Sequence, residues 1–205
     1  MFYEPAQRDR KLLPHDPFKA LVTPRPIGWI STLARDGTVN LAPYSFFNAV
    51  ASDPPMVMFC SGGAQQQDGR KDSHRNAEET GEFVANIVPF ALKDAMSASS
   101  TTLTPDVDEF TIAGLEKLPS RLVKPPRVKG APAHLECRTE RVVHLPTRPG
   151  APPNVVVFGL VVGVHIDEAV IVRGRVDVLR YRPVARLGYF DYTSVDSVFS
   201  MDFPP

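Results

Sequence analysis

Cysteine, net charge and long apolar runs are all scarce in this sequence, and each scarcity closes off a class of protein. Cys60 and Cys137 are the only two cysteines among 205 residues, and both sit in apolar, strand-like contexts. They have no C-x-x-C spacing, so a disulfide-rich framework is out; two thiols in a reducing compartment fit better than one bridge. Neither has histidine at zinc-site spacing, and no metal is expected. Basic and acidic side chains balance at 23 each. A chain of zero net charge lacks the basic stripe that displaces counterions from phosphates, which argues against nucleic acid. No apolar run nears the roughly 20 residues of a membrane helix. The first ten residues are too polar for a secretory leader, so the expectation is a cytoplasmic protein without membrane contact. The motifs G-x-G-x-x-G and G-x-S-x-G are missing too, and no Ser-His-Asp or Cys-His set can be read from spacing.

Proline is plentiful instead, at 21 residues, clustered around strand-like runs (Pro24 and Pro26, Pro54 and Pro55, Pro125 and Pro126, Pro152 and Pro153). Such placement suits strands with rigid connections and few long helices. Many short β-like runs with one or two helices between them indicate a small antiparallel barrel. The run 155–166 is Val-rich and reads as one long curved strand, with Gly159 and Gly163 as bulge or bend points. The chain reads as a single domain over 1–205, with an irregular arm at 1–17, pinned by Phe18 and Leu21, and a tail at 193–205.

Three stretches carry candidate chemistry. Residues 27–33 and 38–45 flank Asp36-Gly37 and predict a hairpin, since a tight turn needs positive φ. Ser31, Thr32, Ser45 and Asn48 are expected to gather at one end of it beside Phe46 and Phe47. Hydroxyls and an amide there suit a flat ligand with polar edges; ordinary strand and turn residues are the plainer reading. Lys71-Asp72-Ser73 opens a short helix, with Asp72 or Ser73 as N-cap and Gly81 as its stop. The helix mouth, a lysine and a hydroxyl favour an anion such as phosphate, although a capped helix explains the same residues. A second helix is expected over Phe90–Ala98. The acidic stretch around Asp106, Asp108 and Glu109 reads as a solvated loop. His165 ends a buried strand just before Asp167 and Glu168, either as a candidate catalytic group oriented by a carboxylate or as a rim histidine.

Taken together, these stretches resemble the flavin reductase-like family. Residues 23–32 and 40–48 are similar to its flavin-binding hairpin, and Lys71-Asp72-Ser73-x-Arg75-Asn76 to its K-D-[ST]-x-x-N phosphate segment. Phe83-Val84-Ala85-Asn86, His134-Leu135-Glu136-Cys137, Gly163-Val164-His165-Ile166 and Arg186-Leu187-Gly188 follow in the family's order. The resemblance covers residues 18 to 192. It implies a mainly β fold, a six-stranded Greek-key split barrel with a few short peripheral helices, working as a homodimer. By the same resemblance FMN, rather than FAD, would be held by Arg25, Trp29, Ser31, Thr32, Ala42, Pro43, Ser45, Phe46, Asn48, Lys71, Asp72, Ser73, Asn76 and Arg186. Where the family often has a second glycine after Arg-Leu-Gly, Tyr189 stands here.

The implied activity is NAD(P)H:flavin reduction, with electrons passed to free flavin, a partner oxygenase or another acceptor. A flavin carries the hydride chemistry itself, so the lack of an acid–base set is expected. The alternatives are an FMN-binding electron carrier without its own NAD(P)H activity and a barrel for haem or another planar ligand.

Overall fold

The computed structural model describes residues 1–62, 69–101, 104 and 107–202. The glycine and glutamine loop at 63–68 and Asp106 lie outside them. Among the described residues, seven strands make the main sheet: β1 (Gly28–Leu33), β2 (Val39–Tyr44), β3 (Phe47–Ser52), β4 (Pro55–Gly62), β5 (Glu82–Ile87), β6 (Ala133–His144) and β7 (Asn154–Ile166). Their order is β2-β1-β5-β6-β7-β4-β3, and every pairing is antiparallel. The outermost strands β2 and β3 are not ladder partners, so the sheet stays split along that edge.

One core fills the concave side of this sheet. Ile30, Tyr44, Phe47, Val57, Phe59, Phe83, Ala85, Cys137 and Val157 reach it from all seven strands. Phe59 packs edge-on against Phe83 at 5.3 Å between centroids. A second cluster lies on the outer side, where Trp29, Leu41 and Val88 meet Met96, Phe110, Val128 and Val184. Strand β1 is buried along nearly its whole length because it serves both clusters. That is why burial does not alternate along it, even at Ser31 and Thr32.

The expected six strands become seven for a local reason. Residues 40–48 read as one return leg, but β2 stops at Tyr44 and β3 begins at Phe47. Strand β3 then pairs with β4, not with β1. The hairpin turn is also longer than a two-residue type. Leu33 pairs with Val39, Ala34 N–H donates to Thr38 O at 2.8 Å, and of the intervening residues only Gly37 takes positive φ, at +93°.

Strand β7 is the long strand expected, and its register against β6 shifts between Phe158 and Gly159 and between Val161 and Gly163. Gly159 is there for space as well as bend: a Cβ would lie 2.3 Å from the Phe83 ring.

Helices α1 (Phe18–Leu21), α2 (Asp72–Thr80), α3 (Lys93–Ala98) and α4 (Glu109–Ile112) decorate the sheet. Gly81 ends α2 in the left-handed conformation, as expected. Three details differ from expectation. Lys71, not Asp72 or Ser73, holds the N-cap position of α2. The predicted helix from Phe90 begins as a 3₁₀ turn over Phe90–Leu92 before α3. Phe18 and Leu21 stay exposed and do not pin the arm. The buried Arg25 guanidinium donates to Val22 O at 2.6 Å, to Leu187 O at 2.7 Å and to Lys19 O, tying α1 and the residue after it to the C-terminal segment. Both cysteines are free thiols.

Candidate functional site

Helix α2 begins beside the split edge of the sheet, and a cleft runs between them. Its outer part, about 420 Å³, is lined by Pro43, Tyr44, Ser45, Phe46, Lys71, Lys19, Cys60, Gly62 and Asn154. A smaller recess of about 100 Å³ continues past Pro43, Tyr44 and Lys71 to Ala42, Asn40, Asp72, Ser73, Ser99–Thr101 and Glu109. The outer part falls within the usual range of a small-molecule site. Seven of the predicted residues therefore line this cleft and its recess: Ser45 and Phe46 the outer part, Ala42, Asp72 and Ser73 the recess, Pro43 and Lys71 both.

Local sequence explains the placement. Pro43 and the break after Tyr44 end β2, turning Ser45 and Phe46 outward at the split. In α2, Ser73 and Asn76 stand one turn apart on the face toward the sheet. Asn40 donates its amide to Ser73 Oγ at 2.8 Å, and Asn76 donates to Thr32 Oγ1 at 3.1 Å. Thr32 and Asn76 thus brace the helix from behind and do not line the cleft.

Charge in the cleft is arranged around Lys71. Burial, then the positive charge of Lys19, lowers its pKa, so an anion beside it would be welcome. A free carboxylate at Asp72 would repel a phosphate at the helix mouth. The carboxylate instead pairs with Arg75 in the next turn. Burial pushes the Tyr44 hydroxyl up to about 12, against hydrogen bonds with Ser73 and Ser61, and it stays a neutral phenol. Burial also raises Glu109, opposed by the Leu41 N–H that its carboxylate accepts at 2.9 Å.

Other predicted residues are placed elsewhere. Ser31 and Thr32 oppose Leu41 and Asn40, so they do not gather with Ser45 and Asn48, which lie beyond the far end of the β1–β2 ladder. Ser31 is fully buried, donating to Pro126 O at 2.5 Å and accepting from Asn86 at 3.2 Å. Trp29 is equally enclosed, its indole N–H on Ser99 Oγ at 2.8 Å. Asn48 is exposed on β3 opposite Met58. Arg25 reaches the cleft indirectly, through Lys19 O and through Phe46, whose ring centre is 5.7 Å from its guanidinium. Arg186 donates to Tyr192 Oη and Tyr189 O. His165 meets the buried Glu136 at 2.5 Å, away from the lining residues, and neither Asp167 nor Glu168 orients it.

Asn40, Tyr44 and Glu109 were not predicted. The first two lie inside the 40–48 motif, where a polar residue and an aromatic flanking Ala42-Pro43 could have been noticed. Nothing in the acidic stretch signalled that Glu109 would open α4 and cap the Leu41 amide.

Residues 21–182 match the family described as flavin reductase like domain. The chain belongs to that family. An uncharacterised protein of Halalkalibacterium halodurans is 35% identical over 184 residues, covering 89% of this chain and 87% of its own. Among solved structures, nitrilotriacetate monooxygenase component B from Bacillus cereus superposes with a TM-score of 0.88 at 29% identity, covering 98% of both chains. The 2-nitrobenzoate 2-nitroreductase NbaA of Pseudomonas fluorescens gives 0.82 at 25% identity, over 100% of this chain and 96% of that one. As a flavin reductase-like protein, this chain carries Tyr189 where the resemblance leads one to expect a second glycine after Arg186-Leu187-Gly188. The residue nevertheless keeps a positive φ of +55°, the conformation that glycine adopts most easily. The backbone after Arg186-Leu187-Gly188 thus passes through the left-handed region with a side chain in place.

Proposed function

We propose that this flavin reductase-like protein is an FMN-dependent oxidoreductase, an NAD(P)H:flavin reductase, with its flavin in the cleft beside α2. The observation that carries the reading is the union of two unlike surfaces in one cleft. At one end are a helix mouth, the Lys71 ammonium and the Ser73 hydroxyl, which together suit a phosphate. At the other are Pro43 and Phe46, an apolar wall with Ser45 at its edge, which suits a flat ring. The donor set fits a phosphate-tailed planar cofactor.

FMN so bound would supply the hydride chemistry, accepting from NADH or NADPH and passing electrons to free flavin, a partner oxygenase or another acceptor. The chain's own part is to hold and orient. Lys71 and Ser73 would grip the phosphate, with Asn40 fixing the Ser73 hydroxyl. Thr32 and Asn76 would keep the helix at the correct distance from the sheet. Arg25, under Phe46, would set the pitch of the apolar wall. Burial of Lys71 strengthens its attraction for an anion, because the local dielectric is below that of water. The reading includes a homodimer, for which the outward residues of β3 are available: Asn48 to Ser52 are all exposed, Val50 at 45%. A monomeric mass by sedimentation would remove that part alone.

The test is anaerobic mixing of purified protein and FMN with NADH and, separately, NADPH. Bleaching of the flavin band by either donor is expected. A yellow protein that neither donor bleaches would be an electron carrier instead, and a protein that takes up no FMN would end the cleft assignment.

A further inference from the structure

Another face of α2 carries a second cluster that plays no part in the cleft. His74 and Glu78 stand four residues apart, so their side chains project together from the helix. The His74 Nε2 lies 3.4 Å from Glu78 Oε2. His144, the last residue of β6, turns its ring edge-on toward His74, with centroids 6.0 Å apart and planes at 70°. One ligand atom from each of the three residues lies within 4.8 Å of the other two. Two imidazoles and a carboxylate from separate elements make a mixed nitrogen and oxygen donor set, the kind that zinc accepts in tetrahedral geometry at about 2.0–2.2 Å. Donors around such an ion stand about 3.4 Å apart, as those bond lengths require. His74 and Glu78 already have that spacing, and His144 is exposed, so its side chain has room to close on them.

An ion pair competes for this place. Arg70 donates to Glu78 at 3.1 Å. It also donates to Glu79 at 2.8 Å through its other nitrogen, so it keeps a carboxylate partner when Glu78 turns to a cation. Ordinary i,i+4 pairing explains His74 and Glu78, but not why β6 ends with a third ligand facing them.

We propose that His74, Glu78 and His144 bind one divalent transition-metal ion of the zinc type, leaving its fourth position to water. The ion bridges the middle of α2 to the end of β6. It thereby fastens the helix whose first turn lines the cleft, yet it touches none of the cleft residues. The proposal stands independently of flavin binding.

Untagged full-length protein, stripped with EDTA, is titrated with Co²⁺ and then challenged with Zn²⁺. One Co²⁺ per chain is expected, with the strong visible absorption of four-coordinate cobalt, abolished on adding Zn²⁺. His144→Ala and Glu78→Gln should each weaken binding at least about tenfold. Zn²⁺ should raise the melting temperature of the wild type but not of His144→Ala. Glu78→Gln keeps the test open if His144→Ala fails to fold. Absence of saturable Co²⁺ binding, or equal affinity in wild type and the folded variants, would overturn the assignment.

Discussion

Ser31 and Ser73 are both buried hydroxyls in motif positions, but the protein uses them in opposite ways. Ser31 belongs to a closed network. Its partner Asn86 also donates to Trp29 O at 2.8 Å, accepts Val128 N–H at 2.9 Å and meets His134 Nδ1 at 2.8 Å. Nearby, the fully buried Glu136 accepts the N–H groups of Arg121, Leu122 and Val123 at 2.8, 2.6 and 3.2 Å, along with His165. Each carboxylate and amide in that region is committed, and the product is a pinned segment, residues 121–128, against the sheet. Ser73 instead shares its oxygen with Asn40 and still faces the cleft beside Lys71. The difference is between polar groups that complete the fold and polar groups left for something else. Residue type does not distinguish them.

Removing Glu136 should break the closed region most severely. Glu136→Leu leaves several N–H groups without an acceptor and is expected to cost about 3–5 kcal/mol, read from urea denaturation. FMN affinity of the folded fraction should stay close to wild type; a variant that loses flavin without losing stability would erase the contrast.

Acid should act on the same region next. Burial, with the charges of Arg127 and His165, lowers His134 from 6.5 to about 4. The unfolded chain therefore takes up a proton over that interval while the folded chain does not, so stability falls as pH drops from 6.5 toward 4. The slope should approach on the order of 1 kcal/mol per pH unit. Glu136 adds to the loss further down, since its folded pKa is held low: burial opposes ionisation, but the Arg121 and Leu122 N–H groups and His165 outweigh it. In His134→Gln the slope between pH 6.5 and 4 should flatten when unfolding is measured across that range.

At the open region the expected effect is smaller in stability and lies in binding. Lys71→Met should weaken FMN by roughly 10- to 100-fold, equivalent to about 1.5–3 kcal/mol for a charge-assisted contact. Titration by flavin fluorescence checks it, and the denaturation midpoint should hardly move. A variant that binds FMN unchanged would place the phosphate elsewhere.

Much of this was open to reading. The Val-rich run with Gly159 and Gly163 is a single bulged strand, Gly81 stops α2, and the motif order identifies the family. The seventh strand was hidden because Tyr44 to Phe47 holds no glycine or proline, with nothing but geometry to mark where one strand ends and the next begins. His165 was expected to find Asp167 or Glu168, its neighbours in sequence. It found Glu136 instead, because β6 and β7 pair His165 with His134 and set Glu136 two residues along the adjacent strand, on the same face.

Sequence alone determined the β-rich class, the short helix that follows Lys71 and the family to which the chain belongs, since these follow from local pattern and residue order. Only the tertiary structure decided which motif residues face a cleft and which are consumed internally. That choice depends on strand register and on distant segments, such as residues 121–128 and α4, which supply or withhold hydrogen-bond partners, and no local pattern encodes them.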